Sequence, residues 1–90
     1  VLNVNKRMPS GLEVLIEEKV LAILKTLLKD KEKIHHLNSL AAESKVSVSS
    51  TFRILKKLIK NGFVDELKIG KWSVYKLADN KKVKELRQLL

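Results

Sequence analysis

The chain has 90 residues, enough for one small domain around one modest core. Its apolar content of 44% supports a folded core rather than a disordered tail, and the lack of cysteine excludes a disulfide scaffold, a thiolate zinc site and a cysteine nucleophile. Nineteen basic against ten acidic residues leave a formal charge of +9, which favours polyanionic partners, nucleic acid first and an anionic membrane surface second.

The excess charge is clustered. Residues 1–44 carry a net +1, residues 45–76 a net +6 and residues 77–90 a net +2. A uniformly solvated surface would not concentrate two-thirds of its excess in one third of the chain. The longest apolar runs, such as Val14-Leu15-Ile16 and Val20-Leu21-Ala22-Ile23, fall far short of a membrane span. Lys6 and Arg7 lead into Pro9-Ser10-Gly11 rather than into an apolar core, so no secretory signal is read there.

Residues 1–9 lack any period and read as a flexible lead. Ser10 with Glu13 fits a capping box, and the spacing predicts a first helix over 12–29. Leu12, Ile16, Val20, Ile23, Leu24 and Leu27 form one apolar stripe. Val14, Leu21 and Leu28 form a second at seven-residue spacing. One core needs one stripe, so the second requires the C-terminal segment or another copy of the chain. Asp30 to Lys33 is a polar turn, and Ile34 to Leu37 is a short extended piece.

Asn38 is the expected N-cap of a second helix over 39–45. Val46-Ser47-Val48 is a turn, and Ser47 is the expected N-cap of a third helix over 48–61, stopped by Asn61-Gly62. Phe63 to Lys68 and Trp72 to Leu77 are rich in β-branched and aromatic residues and flank Ile69-Gly70-Lys71, a hairpin signature. Asp79 or Asn80 then caps a last helix in which Val83, Leu86 and Leu90 share a face.

Two helices joined by a tight turn form a helix-turn-helix, whose second member enters the major groove of DNA. The stretch from Leu40 to Val64 resembles the winged helix-turn-helix of prokaryotic transcription regulators of the arsenical-resistance repressor, multiple-antibiotic-resistance regulator and IclR types. The resemblance lies in Leu40-Ala41, the small turn, Ser49-Ser50-Thr51, the Leu55 and Leu58 spacing and Gly62-Phe63-Val64. It implies an α+β, mostly helical fold: a three-helix bundle with a helix-turn-helix, a β-hairpin wing and a C-terminal helix. Residues 10–78 would be the DNA-binding domain and 79–90 a dimerisation element. The pattern departs at the end of the second helix, where Ser44 and Lys45 replace the family's usual leucine and glycine, so a looser turn or a shorter helix is expected.

On the third helix Thr51, Leu55 and Leu58 make the inner stripe. Ser49, Phe52, Arg53, Lys56 and Lys60 then face outward, a face suited to a groove walled by phosphates. Arg53 is the candidate base reader, or else a phosphate contact. Ser47, Ser49 and Ser50 suit phosphate contacts through hydroxyls and the helix start, with Ser47 also a cap. Lys56, Lys57 and Lys60 are phosphate neighbours or else a solvated helix face, with Lys57 set to the side. Phe52 either tucks against Ile59 or meets a thymine methyl. Lys68 and Lys71 sit at the wing tip, Trp72 either packs beneath the wing or stacks at its edge, and Tyr75 is structural. The resemblance further implies a homodimer joined through the first and last helices, with Val14, Leu21, Leu28, Val83, Leu86 and Leu90 at the interface.

His35 and His36 are adjacent and point to opposite faces, a poor geometry for one metal, and no metal or other cofactor is expected. Glu43 and Glu66 are lone carboxylates without an acid–base partner, and the three scattered glycines make no phosphate loop, so no enzyme and no small-molecule substrate is expected. The expected function is sequence-specific binding of double-stranded DNA in transcription regulation, in the cytoplasm and on the nucleoid. The rival readings are a winged-helix module that docks proteins of the transcription or replication machinery, and a non-specific DNA coater.

Overall fold

A computed structural model describes residues 17–89. The elements run α1 (Glu18–Lys29), β1 (His35–His36), α2 (Leu37–Ser44), α3 (Val48–Lys60), β2 (Val64–Ile69), β3 (Trp72–Leu77) and α4 (Lys81–Leu89). Three strands form one antiparallel sheet in the order β1-β3-β2. The helices pack around one core, with the β2–β3 hairpin as the wing.

Helix α1 starts later than its periodicity suggests. Glu17 is extended and serves as the N-cap, with its carbonyl accepting from Leu21 N at 3.1 Å. Glu18 in the first turn suits the positive end of the helix dipole. The expected Ser10–Glu13 cap, and the parts of both stripes at Leu12, Val14 and Ile16, lie outside the described residues. The remaining inner stripe, Val20, Ile23, Leu24 and Leu27, is buried as expected.

Strand β1 explains why α2 begins early. His35 pairs with Tyr75 and His36 with Val74. That ladder holds His36 extended (φ −85°, ψ 154°), and the helix turns immediately after it at Leu37. Asn38 therefore lies inside the first turn rather than at the expected N-cap position. His35 is buried and His36 exposed, on opposite faces of the strand.

The turn between α2 and α3 is tight, against expectation. Lys45 adopts the left-handed conformation (φ 59°) where the resembled families place glycine. Its N–H donates to Ala42 O at 3.2 Å, and Val46 N–H donates to Ala41 O at 3.1 Å, the paired bonds of a Schellman cap. Ser44 fits the usual leucine position because it has a polar partner. Its Oγ donates to Thr26 Oγ1 at 3.0 Å, and Thr26 Oγ1 donates to Ala22 O at 3.0 Å, so a buried hydroxyl chain ties α2 to α1.

Helix α3 opens as its sequence indicates: Ser50 N–H donates to Ser47 Oγ at 3.2 Å. It ends one residue early. Asn61 is the C-cap, and Gly62 alone takes the positive φ, at 81°. Thr51, Ile54, Leu55 and Leu58 are buried against Leu40 of α2 and the α1 stripe.

The wing turns in two residues. Ile69 faces Trp72 across the ladder, leaving Gly70 and Lys71 as the loop, with Gly70 at φ 59° as a tight hairpin requires. Helix α4 is capped by Asn80, whose Oδ1 accepts from Val83 N–H at 2.9 Å. The same side chain donates through Nδ2 to Gly62 O at 2.9 Å and so fixes α4 to the end of α3.

Val83 and Leu86 are 4% and 1% exposed and belong to the core of their own chain, so they cannot face a partner as expected. The reason is local: Asn80 anchors α4 to Gly62 at the α3 end, and the stripe joins the core cluster that holds Phe63. Leu90 and Val14 lie outside the described residues. Leu28 is half-buried and packs against the same core, while Leu21 is half-buried on α1.

Candidate nucleic-acid interface

Buried hydrophobic residues on one side of α3 force its other side outward. With Thr51, Leu55 and Leu58 at no measurable exposure, Ser49, Phe52, Arg53, Lys56 and Lys60 emerge on solvent together. Ser47 is exposed at the helix start, while Ser50 and Lys57 are half-buried at its flanks. Lys68 and Lys71 are exposed on the wing. The face is thus continuous from the α3 start to the hairpin tip.

One carboxylate joins its two halves. Glu66 on β2 lies 3.7 Å from Lys56 Nζ on α3 and 3.8 Å from Lys68 Nζ on the wing. Lys68 Nζ also donates to Ser73 Oγ on β3 at 2.8 Å. Among the described residues Arg53, Lys57, Lys60 and Lys71 form no ion pair, so their charge is available to a ligand. Such exposed pairs are weak, about 0–1 kcal/mol, and a polyanion readily replaces them.

Phe52 is not buried. It is 44% exposed with Lys56 Nζ stacked 5.0 Å from its ring centroid. It lines a groove of about 510 Å³ with His36, Leu37, Asn38, Trp72, Ser73 and Tyr75, between the α3 face and strand β3. Trp72 is not packed beneath the wing either; it is 69% exposed. Tyr75 is buried as expected, and burial with the neighbouring Glu66 pushes its phenol pKa up.

Sequence reasoning missed four features of this face. Val48 is 46% exposed at the α3 start, and Ile69 is 57% exposed opposite Trp72. Glu66 was read as isolated, yet it bridges two cations. Lys45 holds the turn that aims α3. The Ile69–Trp72 pairing was legible, because a two-residue loop makes them the last rung of a hairpin with nothing beyond to cover them. The Glu66 contact was not, since it needs the angle between helix and sheet.

Among the described residues no group of side chains could hold a metal, and no helix is long and apolar enough to cross a membrane.

A helix-turn-helix followed by a β-hairpin, with a cationic face running from recognition helix to wing, defines a winged-helix DNA-binding module of the transcription-regulator class. The chain belongs to the IclR helix-turn-helix domain family, which residues 18–67 match, more than half its length. The match runs from α1 into β2. No curated protein sequence matches the chain.

Solved structures resemble the fold over most of its length. The transcriptional regulator HlyU from Vibrio vulnificus is 26% identical, with a TM-score of 0.69, covering 87% of this chain and 77% of that one. The transcriptional repressor BigR from Xylella fastidiosa is 20% identical, with a TM-score of 0.73 and coverage of 88% and 75%. The homodimeric winged helix-turn-helix domain of Mb0332 from Mycobacterium bovis is 20% identical, with a TM-score of 0.70 and coverage of 88% and 69%. At 20% identity the last two are likenesses of fold alone.

Proposed function

We propose that this chain regulates transcription by laying α3 in the major groove of a specific duplex site. The observation that carries the reading is the outward face of α3, where Arg53 and Lys60 stand exposed and unpaired among the described residues beside Ser49 and Phe52. Arg53 is the base reader, with the bidentate geometry that suits guanine. Ser47, Ser49, Ser50, Lys56, Lys57 and Lys60 contact the backbone, and Lys68 and Lys71 extend those contacts to the flanking groove.

The protein acts as a homodimer in the cytoplasm, on the nucleoid. Support for the dimer comes from the homodimeric Mb0332 domain of the same fold and from the half-buried Leu21 and Leu28 on α1. The proposed interface leaves out Val83 and Leu86 of α4, which are buried in the core of their own chain. A two-fold dimer sets its half-sites about 34 Å apart.

Selection of bound sites from a random duplex pool tests this directly. The expected result is a shared motif bound at least about 10³-fold more tightly than random duplex at fixed salt. Equal affinity for all sequences would make the chain a non-specific coater. No affinity for duplex at low salt would favour a protein-docking module instead.

A further inference from the structure

The wing carries chemistry that phosphate contacts do not need. Its last rung is the cross-strand pair Ile69 and Trp72, 57% and 69% exposed, and Leu67 on the same face of the hairpin is 42% exposed. Three large apolar side chains thus stand exposed on one face of the hairpin, two of them at its tip. Lys71 stands in the turn beside them, and Lys68 lies on the opposite face of the hairpin, bonded to Ser73. The tip is also continuous with the α3 face, because Trp72 and Phe52 line the same groove.

We propose that this tip is an apolar wedge that enters a base-pair step of the bound duplex and bends it. The inference rests on the DNA-binding reading above. With α3 seated in the major groove, the wing reaches the adjoining minor groove, where proteins that insert apolar side chains unstack one step and kink the helix. The indole of Trp72 stacks on the exposed base faces, and Ile69 backs it from across the ladder. Lys71, in the turn itself, holds a phosphate beside the opened step, and Lys68 reaches the backbone from the other face of the hairpin. The continuity with α3 and the neighbouring cations favour a duplex over an apolar protein surface. Flexible pyrimidine–purine steps are the ones such a wedge opens most easily, so the tip adds sequence preference at positions that no hydrogen bond reads.

Trp72 is the only tryptophan, so its fluorescence reports the tip alone. The probe is a short duplex carrying the site recovered from the random pool, labelled at both ends for energy transfer. Wild-type protein should quench its own emission on binding and bend the duplex by roughly 20–90°. Trp72→Ala should bind about tenfold more weakly and leave the duplex straight, while Trp72→Phe keeps most of the bend. Both variants alter an exposed side chain, and circular dichroism confirms that they fold.

Tight binding with unchanged emission and an equal bend from wild type and Trp72→Ala would overturn the wedge and leave the DNA-binding reading standing. Failure of the wild type to bind any duplex would overturn both. Emission that responds to phosphatidylserine vesicles or to rising protein concentration, but not to duplex, would overturn the wedge and assign the tip to lipid or to a second copy.

Discussion

Helices α3 and α4 are written in the same vocabulary: each is basic, each carries one apolar stripe, and each starts at a capping side chain, Ser47 for α3 and Asn80 for α4. The fold uses them differently. Helix α3 sits beside the wing, and its exposed side joins a second cationic surface. Helix α4 is fastened through Asn80 to Gly62 O and presses Val83 and Leu86 into the core. Its outward Lys84 and Arg87 line a groove with Lys31, Glu32 and Lys76, and Arg87 a second with Lys25 and Lys29 of α1, whereas the α3 face borders the wing. An apolar stripe therefore announces that something covers it without saying what, and a charged face takes its use from the surface it borders.

Substitutions at matched positions sharpen that contrast. Leu86→Ala should have the largest effect, destabilising the folded chain by about 2–5 kcal/mol, as deletions at fully buried leucines do. Leu89→Ala, three residues on and 54% exposed, should stay within about 0.5 kcal/mol. Denaturant unfolding measures both. A Leu86→Ala protein of normal stability that has lost its partner would return α4 to the interface.

On the other helix, Arg53→Ala should cost about 1–3 kcal/mol of affinity for the selected site and less for random duplex. Arg87→Ala on α4 should change neither. Competition binding at one salt concentration compares them, and equal losses at Arg53 on both duplexes would reduce it to a phosphate contact. On the wing, Lys71→Ala should weaken every sequence alike and lower the salt slope by about one unit. An unchanged slope would take Lys71 off the backbone.

The smallest effect is pH-dependent and belongs to the strand that joins the two halves. His35 is buried and, among the described residues, neither ring nitrogen has a hydrogen-bond partner. Burial, and after it the charge of Lys33, lower its pKa from the ordinary 6.5, against weaker opposing pulls from Glu43 and Asp30. The unfolded chain then binds the proton first. Stability should be complete above pH 6.5, fall as the pH drops below it, and level off beneath the lowered folded-state pKa. His35→Leu should flatten that fall in thermal melts across the acid range, and a slope that persists would assign it to other groups.

The elements themselves were legible because the signals were local. Ser47, Gly62 and the Gly70 turn each mark a boundary by backbone chemistry alone. The outward face of α3 followed from the spacing of Thr51, Leu55 and Leu58. Expectation failed where the deciding partner was distant in sequence. Helix α2 begins at Leu37 because β3 holds His36, some 38 residues away by its pairing with Val74. Ser44 reads as a departure until Thr26 of α1 is beside it. Val83 and Leu86 read as an interface until α4 folds back over Phe63. For Phe52 and Trp72 the sequence left cover and exposure both open, and the structure leaves both facing solvent.

The Glu66 bridge has a consequence for how the protein meets its ligand. In the free molecule this carboxylate sits beside the ammonium groups of Lys56 and Lys68 much as a nucleic-acid oxygen would. Docking is then an exchange of one anion for another rather than the capture of two wandering side chains. The two cations arrive with an internal rehearsal of their target, held loosely enough that the newcomer takes them over at little cost.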